Sequence, residues 1–218
     1  DKYFTDSLIV CQNDYDDPTQ TYSLESLQHR ATLPADRGRL CASLPGERLL
    51  YARGGWGNRS LDVYEAGSRI ATLTPPGGRY QTPSISASVH PHSGQLAVVS
   101  RDDRSLDVYS SQYQHQHRYK LTYRPWYITA VAAVNDVIVV LDIEDKVHLH
   151  NWAGEAVGSV SSQQLGLPDG GREIWGIGQG PPGMLMIAAG DDDWDVNDDD
   201  DYDDDGTVKT LHMYKLVP

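Results

Sequence analysis

The chain lacks most of the features that would announce a chemistry. It has no Gly-x-Ser-x-Gly elbow, no phosphate-binding glycine loop and no Cys-x-x-Cys pair, and its many aspartates show no spacing that singles out an acid and a base. Nothing resembles a membrane span, since no apolar run approaches about 18 residues. No secretory leader is visible, and Asp1 reads as the start of a processed chain or of a fragment. Cysteine is scarce: Cys11 and Cys41 both stand in strand-like contexts, as buried thiols or as a disulfide pair. Phenylalanine occurs once against 13 tyrosines, which suits half-exposed strands where the ring packs and the hydroxyl reaches water. Positive charge is also short, at 18 Lys and Arg against 31 Asp and Glu, and the net charge of −13 argues against a generic nucleic-acid binder. No segment carries a convincing helical period, which argues against helical and α/β folds.

What the chain does have is a phrase spoken twice. Arg59-Ser60-Leu61-Asp62-Val63-Tyr64 returns unchanged as Arg104-Ser105-Leu106-Asp107-Val108-Tyr109, 45 residues later. Both copies alternate apolar and polar residues with the period of a strand, and a repeat at this spacing points to stacked or circular arrays. Weaker copies occur at Lys146–His150 and Thr210–Tyr214, with apolar residues matching Leu61 and Val63 at Val147, Leu149, Leu211 and Met213. A more degraded copy is expected in Thr21-Tyr22-Ser23-Leu24.

Each phrase is preceded by an apolar strand, such as Leu96-Ala97-Val98-Val99 or Val137-Ile138-Val139-Val140, and before that by a turn and another strand. A weaker strand follows each phrase but the last: Arg30–Leu33, Ile70–Leu73, Tyr119–Thr122 and Ala156–Val160. The unit is therefore four strands, a to d, and tandem four-stranded units read as β-propeller blades. The expected fold is an all-β propeller of four-stranded antiparallel blades, bounded at about 1–36, 37–77, 78–123, 124–168 and 169–218. Three of these read as complete. The first has only a stub of strand a in Lys2-Tyr3-Phe4 and the last ends at strand c, so this single propeller chain is expected to be part of a larger ring or assembly. Its missing strand would come from upstream, from another chain, or not at all.

Two units resemble an NHL repeat. One is Pro83-Ser84-Ile85-Ser86-Ala87-Ser88-Val89 through Gly94–Val99 and Arg104–Tyr109; the other runs from Ile128 through Val139-Val140-Leu141-Asp142 to Lys146–His150. The unit from about Cys41 to Leu73 resembles it less closely and the terminal units least, while the Trp-Asp and Gly-His signatures of WD repeats are absent. The resemblance implies a protein- or RNA-binding platform within a larger protein, often one with ubiquitin-ligase or receptor regions.

Candidate binding residues come from the loops before strand a, which share one propeller face with the b-to-c loops. They pair arginine with aromatics: Arg37 and Arg39, Arg79-Tyr80, Arg124-Pro125-Trp126-Tyr127 and Arg172-Glu173-Ile174-Trp175. Both types are enriched at binding hot spots, and arginine grips carboxylates bidentately. The alternative is structural, with the rings plugging gaps between blades and the arginines paired to nearby aspartates.

The b-to-c loops are acidic, and 11 aspartates fall between Asp191 and Asp205, leaving the rest of the chain nearly neutral. Asp201-x-Asp203-x-Asp205-Gly206 has the spacing of a calcium loop, so calcium is the one cofactor implied; a solvated acidic insertion is the other reading. Asp193-x-Asp195-x-Asn197 is a second, weaker ion candidate. His90-Pro91-His92 and His115-Gln116-His117 are placed in turns of the opposite face, as exposed histidines or half of a zinc site. His148 and His150 are placed within a strand, packed between blades. Asn58-Arg59-Ser60 is a glycosylation acceptor if the protein is secreted.

The function expected is a non-enzymatic recognition module that binds a protein or peptide on its Arg/aromatic loop face through Arg79, Tyr80, Arg124, Trp126, Tyr127, Arg172 and Trp175. The alternatives are a secreted, calcium-stabilised structural or glycan-binding propeller, and a calcium-dependent propeller hydrolase. The compartment, cytoplasmic or secreted, stays open.

Overall fold

Apolar and polar residues alternate along strand after strand in the computed structural model, which describes residues 2–4, 8–12, 17–34, 38–54, 60–80, 85–90, 92–131, 136–167, 172–179, 184–191 and 210–215. The fold is an all-β propeller of antiparallel blades, and the chain divides into two compact units, residues 1–126 and 127–218.

The first unit holds three four-stranded sheets. Blade 1 is β1 (Lys2–Phe4), β2 (Leu8–Cys11), β3 (Thr19–Ser23) and β4 (His29–Leu33). Blade 2 is β5 (Arg39–Leu44), β6 (Arg48–Arg53), β7 (Ser60–Glu65) and β8 (Ser68–Leu73). Blade 3 is β9 (Ile85–Val89), β10 (Leu96–Ser100), β11 (Ser105–Tyr109) and β12 (His115–Lys120). The second unit begins with blade 4: β13 (Pro125–Val131, crossing the boundary), β14 (Val137–Asp142), β15 (Val147–His150) and β16 (Ala156–Val160). Blade 5, with β17 (Arg172–Gln179), β18 (Met184–Asp191) and β19 (Thr210–Lys215), has three strands among the described residues.

The repeated phrase forms the third strand of its blade, and the pleat splits it between two interfaces. Leu61 and Val63 leave one face of blade 2 and join Leu50 and Ala52 in a core with Tyr80, Ile85, Leu96, Val98 and Tyr109 of blade 3. The other face of blade 2 sends Leu49 and Tyr51 against Val10 of blade 1. In the second unit Val139, Leu141 and Val147 meet Ile174, Leu185 and Ile187 in the same manner. Leu106 and Val108 are fully buried as the phrase requires, whereas Leu149 is half-buried. The fourth copy departs: Leu211 and Met213 are 61% and 59% exposed, and β19 is the outer strand of its sheet among the described residues.

A second periodicity is invisible in the sequence. In four blades the pairing of the third strand with the fourth skips one residue of the outer strand. The skipped residues are Arg30, Ile70, Gln116 and Val157, all exposed. A bulge of this kind bends the strand and re-aims one side chain, so each blade carries an outward-turned residue on its rim.

Several expectations need correction. Blade 1 has a paired first strand, Lys2↔Cys11 to Phe4↔Ile9, and is complete. Its third strand runs from Thr19, so Leu24 falls in the following turn, which Ser23 closes through the bonds Ser23 N–H to Gln28 O and Leu27 N–H to Ser23 O. The outer strand of blade 3 runs over His115–Lys120, upstream of the expected Tyr119–Thr122. Ser110 N–H bonds Gln114 O at 2.8 Å, and Tyr113 takes φ 65° within a tight turn, so β12 starts at His115. His115 and His117 are thus strand residues, not turn residues. Of the two readings of the cysteines the free-thiol one holds, with Cys41 buried and Cys11 half-buried.

Gly38 shows how the first two blades are joined. It sits at φ 91°, and a Cβ there would run into the carbonyl of Ala52. Its own carbonyl accepts from Gln12 Nε2 at 2.9 Å while Leu40 N–H donates to Gln12 Oε1 at 2.6 Å. One buried glutamine therefore takes up two backbone groups of the connecting loop. Among the described residues no helix is long and apolar enough to cross a membrane.

Candidate interaction surface

The loop between β10 and β11 meets the start of β13, both within the first unit. Arg124 Nη2 donates to Asp102 Oδ1 at 3.0 Å, an exposed pair worth little to stability on its own. Next to it the guanidinium carbon of Arg101 lies 4.7 Å from the centroid of the Trp126 ring, within cation–π range. Ser100 Oγ donates to Asp103, tying down the loop from its other end. Trp126 is nevertheless 45% exposed, a large aromatic held in place yet open to solvent. Arg101 Nε is buried without an acceptor among the described residues. The acidic b-to-c loop and the Arg/aromatic segment, separate in sequence, thus form one polar and aromatic cluster.

The other expected residues divide. Arg79 is exposed. Tyr80 belongs to the core instead of the rim: it is 0% exposed and shares a hydrogen bond of 2.8 Å between its hydroxyl and that of Tyr109. Burial pushes both phenols above the usual tyrosine range. An aromatic beside an arginine reads alike in sequence whether its ring lies above or below the neighbouring sheet. Tyr127, Arg172 and Trp175 have backbones in β13 and β17, and their side chains lie outside the described part. Arg37, Asn58, Pro91, the aspartates from Asp192 to Asp205 and with them Asp201, Asp203 and Asp205 also lie outside the described residues. Among the described residues there is no cluster of three His, Cys, Asp or Glu side chains able to hold a metal.

The sequence reading passed over the aspartate inside the repeated phrase. Strand alternation turns Asp107 away from Leu106 and Val108, into a fully buried position on the other face. It accepts from Arg118 Nε at 2.8 Å, Arg118 Nη2 at 2.9 Å and His115 Nε2 at 3.0 Å. Arg118 also donates to Pro76 O, and its charged form is favoured further by Asp107. Asp62, the same position one repeat earlier, accepts from Thr72 Oγ1 at 2.6 Å and lies 3.3 and 3.5 Å from Arg53 and Arg69. In blade 4 the buried acid is Asp142, at the end of β14, accepting from Glu144 N, Lys146 N and, at 2.7 Å, His148 Nε2. These acids are buried inside the blades and face basic or hydrogen-bonding side chains of their own sheet, which gives them a structural role. The signal was present: an aspartate invariant between two copies of a strand core.

No protein-family model matches the chain, and a search of curated proteins finds no relative. Solved structures do resemble it. A protein of unknown function from Bacteroides caccae aligns with TM-score 0.59 at 13% identity, over 85% of this chain and 68% of that one. The Neurospora crassa Pan2 WD40 domain aligns with TM-score 0.60 at 8% identity, over 97% and 60%. Hydrazine synthase of Kuenenia stuttgartiensis aligns with TM-score 0.66 at 10% identity, over 99% and 62%. The chain thus spans between 60% and 68% of the length of these structures. Likeness at such identities establishes the fold and leaves the activity open: this is a β-propeller chain.

Proposed function

We propose that the chain is a non-enzymatic recognition module, of NHL-repeat character, that binds a protein or peptide through the loop cluster centred on Trp126. The observation that carries this reading is the exposed indole of Trp126 held under Arg101 beside the Arg124–Asp102 pair. A pinned aromatic loses little conformational entropy on binding, and tryptophan and arginine dominate interface energetics. Arg79 and, in the second unit, Tyr127, Arg172 and Trp175 extend the proposal to equivalent loops. Tyr80 supports from within the core and has no place in the contact set.

The test begins with peptides selected from a random display library on the immobilised chain. Calorimetric affinities are then compared for wild type and Trp126→Ala. The variant should lose at least about 2 kcal/mol of binding free energy, as truncation of an interface anchor does. Equal affinity for both proteins would remove the cluster from the ligand's footprint.

A further inference from the structure

Blade 1 departs from the repeat at its third strand, and the departure leaves a groove. The register of β3 with β4 aligns Thr19 and Thr21 with Leu61 and Val63 of blade 2 and with Leu106 and Val108 of blade 3. Two threonines therefore stand where the other blades place branched apolar side chains. Above the small core formed by Val10, Leu40, Leu49 and Tyr51, the space between blades 1 and 2 opens as a cavity of about 340 Å³, within the range of ligand pockets. Its walls are mainly apolar: Leu8, Ala31 and Leu33 on blade 1, Leu49 and Tyr64 on blade 2.

Arg30 also lines it, and Arg30 is the bulge residue of β4. Of the four bulge residues it alone is charged, and it has no ion-pair or hydrogen-bond partner among the described residues. Two acids of blade 2 line the groove as well, and one of them, Glu65, is paired with Arg48 Nε at 2.8 Å. Glu47 lines the groove from the β5–β6 turn. β4 is the outer strand of its sheet, so one edge of its backbone faces away from β3. The hairpin carrying it exposes Leu24 and, at φ 57°, a Leu27 that is 66% exposed. A bulky residue in left-handed conformation and open to solvent is costly on both counts.

We infer that this inter-blade groove is a second docking site, and that it takes an extended acidic–apolar peptide segment of a partner protein. The segment adds to the free edge of β4, as strands do at sheet edges. It seats an apolar side chain between Leu33 and Tyr64 and offers a carboxylate to Arg30, a bidentate match for a guanidinium. The site rests on the general reading of the chain as a recognition module but uses none of the residues around Trp126.

The probes are short fluorescein-labelled peptides of alternating Leu and Glu, alternating Leu and Lys, and alternating Ser and Glu, read by anisotropy against the 218-residue chain. The Leu/Glu peptide should bind at least about tenfold more tightly than either other peptide, a difference of about 1.4 kcal/mol. Arg30→Glu should reverse the preference between the Leu/Glu and Leu/Lys peptides. Thr21→Leu, which gives blade 1 the residue that blade 4 has at Leu149, should fill the groove and abolish binding without lowering Tm. Trp126→Ala should change nothing, so failure here and failure at the loop cluster are read separately. The proposal is overturned if the Leu/Glu peptide does not bind, if the Ser/Glu peptide binds equally well, or if Arg30→Glu keeps the wild-type preference. Full binding by Thr21→Leu, or loss caused by Trp126→Ala alone, would overturn it too. So would a wild-type dimer that Arg30→Glu dissociates, since the groove would then belong to a second copy of the chain.

Discussion

Asp107→Ala should lower the unfolding free energy by about 3–5 kcal/mol, the usual cost of removing one partner from a buried ion pair. The carboxylate is fully buried and takes three charge-assisted contacts, two from Arg118 and one from His115. Its loss leaves the Arg118 guanidinium next to the Tyr80 ring and the Pro76 carbonyl without its hydrogen-bonded carboxylate. Replacing both partners, as Asp107→Leu with Arg118→Leu, should recover much of that loss, because a well-packed apolar pair is often neutral against a buried ion pair. Asp62→Ala should cost less. Both of its arginines are about half exposed and stand at 3.3 and 3.5 Å, and Asp62 Oδ2 lacks a hydrogen bond. Urea midpoints decide: equal midpoints for wild type and Asp107→Ala would mean that the network contributes nothing.

Leu106→Ala should cost about 2–5 kcal/mol, the range for a leucine truncated in a packed core. Leu106 is fully buried in β11, between β10 and β12. Leu211 occupies the same place in the repeat but is exposed on β19, so Leu211→Ala should stay within about 0.5 kcal/mol of wild type, as surface substitutions do. The pair of variants separates sequence position from burial. Similar losses at both sites would show that β19 is covered as the inner copies are.

This contrast marks how far the sequence could be read. Period-two alternation and a phrase repeated 45 residues apart located most strands of the blades, because both depend on the local pleat, but missed the bounds of β3 and β12. They did not reveal what covers each face. Leu211 and Leu106 look alike in sequence, and so do Tyr80 and Trp126 as aromatics beside arginines. In each pair one residue is buried and the other open, which the neighbouring sheet decides. Turn geometry was the other gap: Tyr113 in a left-handed conformation carries no sequence mark of a glycine or asparagine, and it moved β12 upstream. The loop cluster was half legible. Arg124 and Trp126 were identified, but their partners Arg101 and Asp102 arrive from another loop through folding. The groove beside Arg30 came only from comparing blades, where the degraded third strand of blade 1 becomes two threonines in an otherwise apolar register.

The central claim, recognition through the cluster at Trp126, is tested most directly by following the five tryptophan indole N–H signals by NMR while a library-selected peptide is titrated into the wild-type chain. The Trp126 indole should shift progressively and saturate with the binding isotherm, and the Trp126→Ala variant should identify its signal. A peptide that saturates the chain while the Trp126 signal stays fixed would contradict the account.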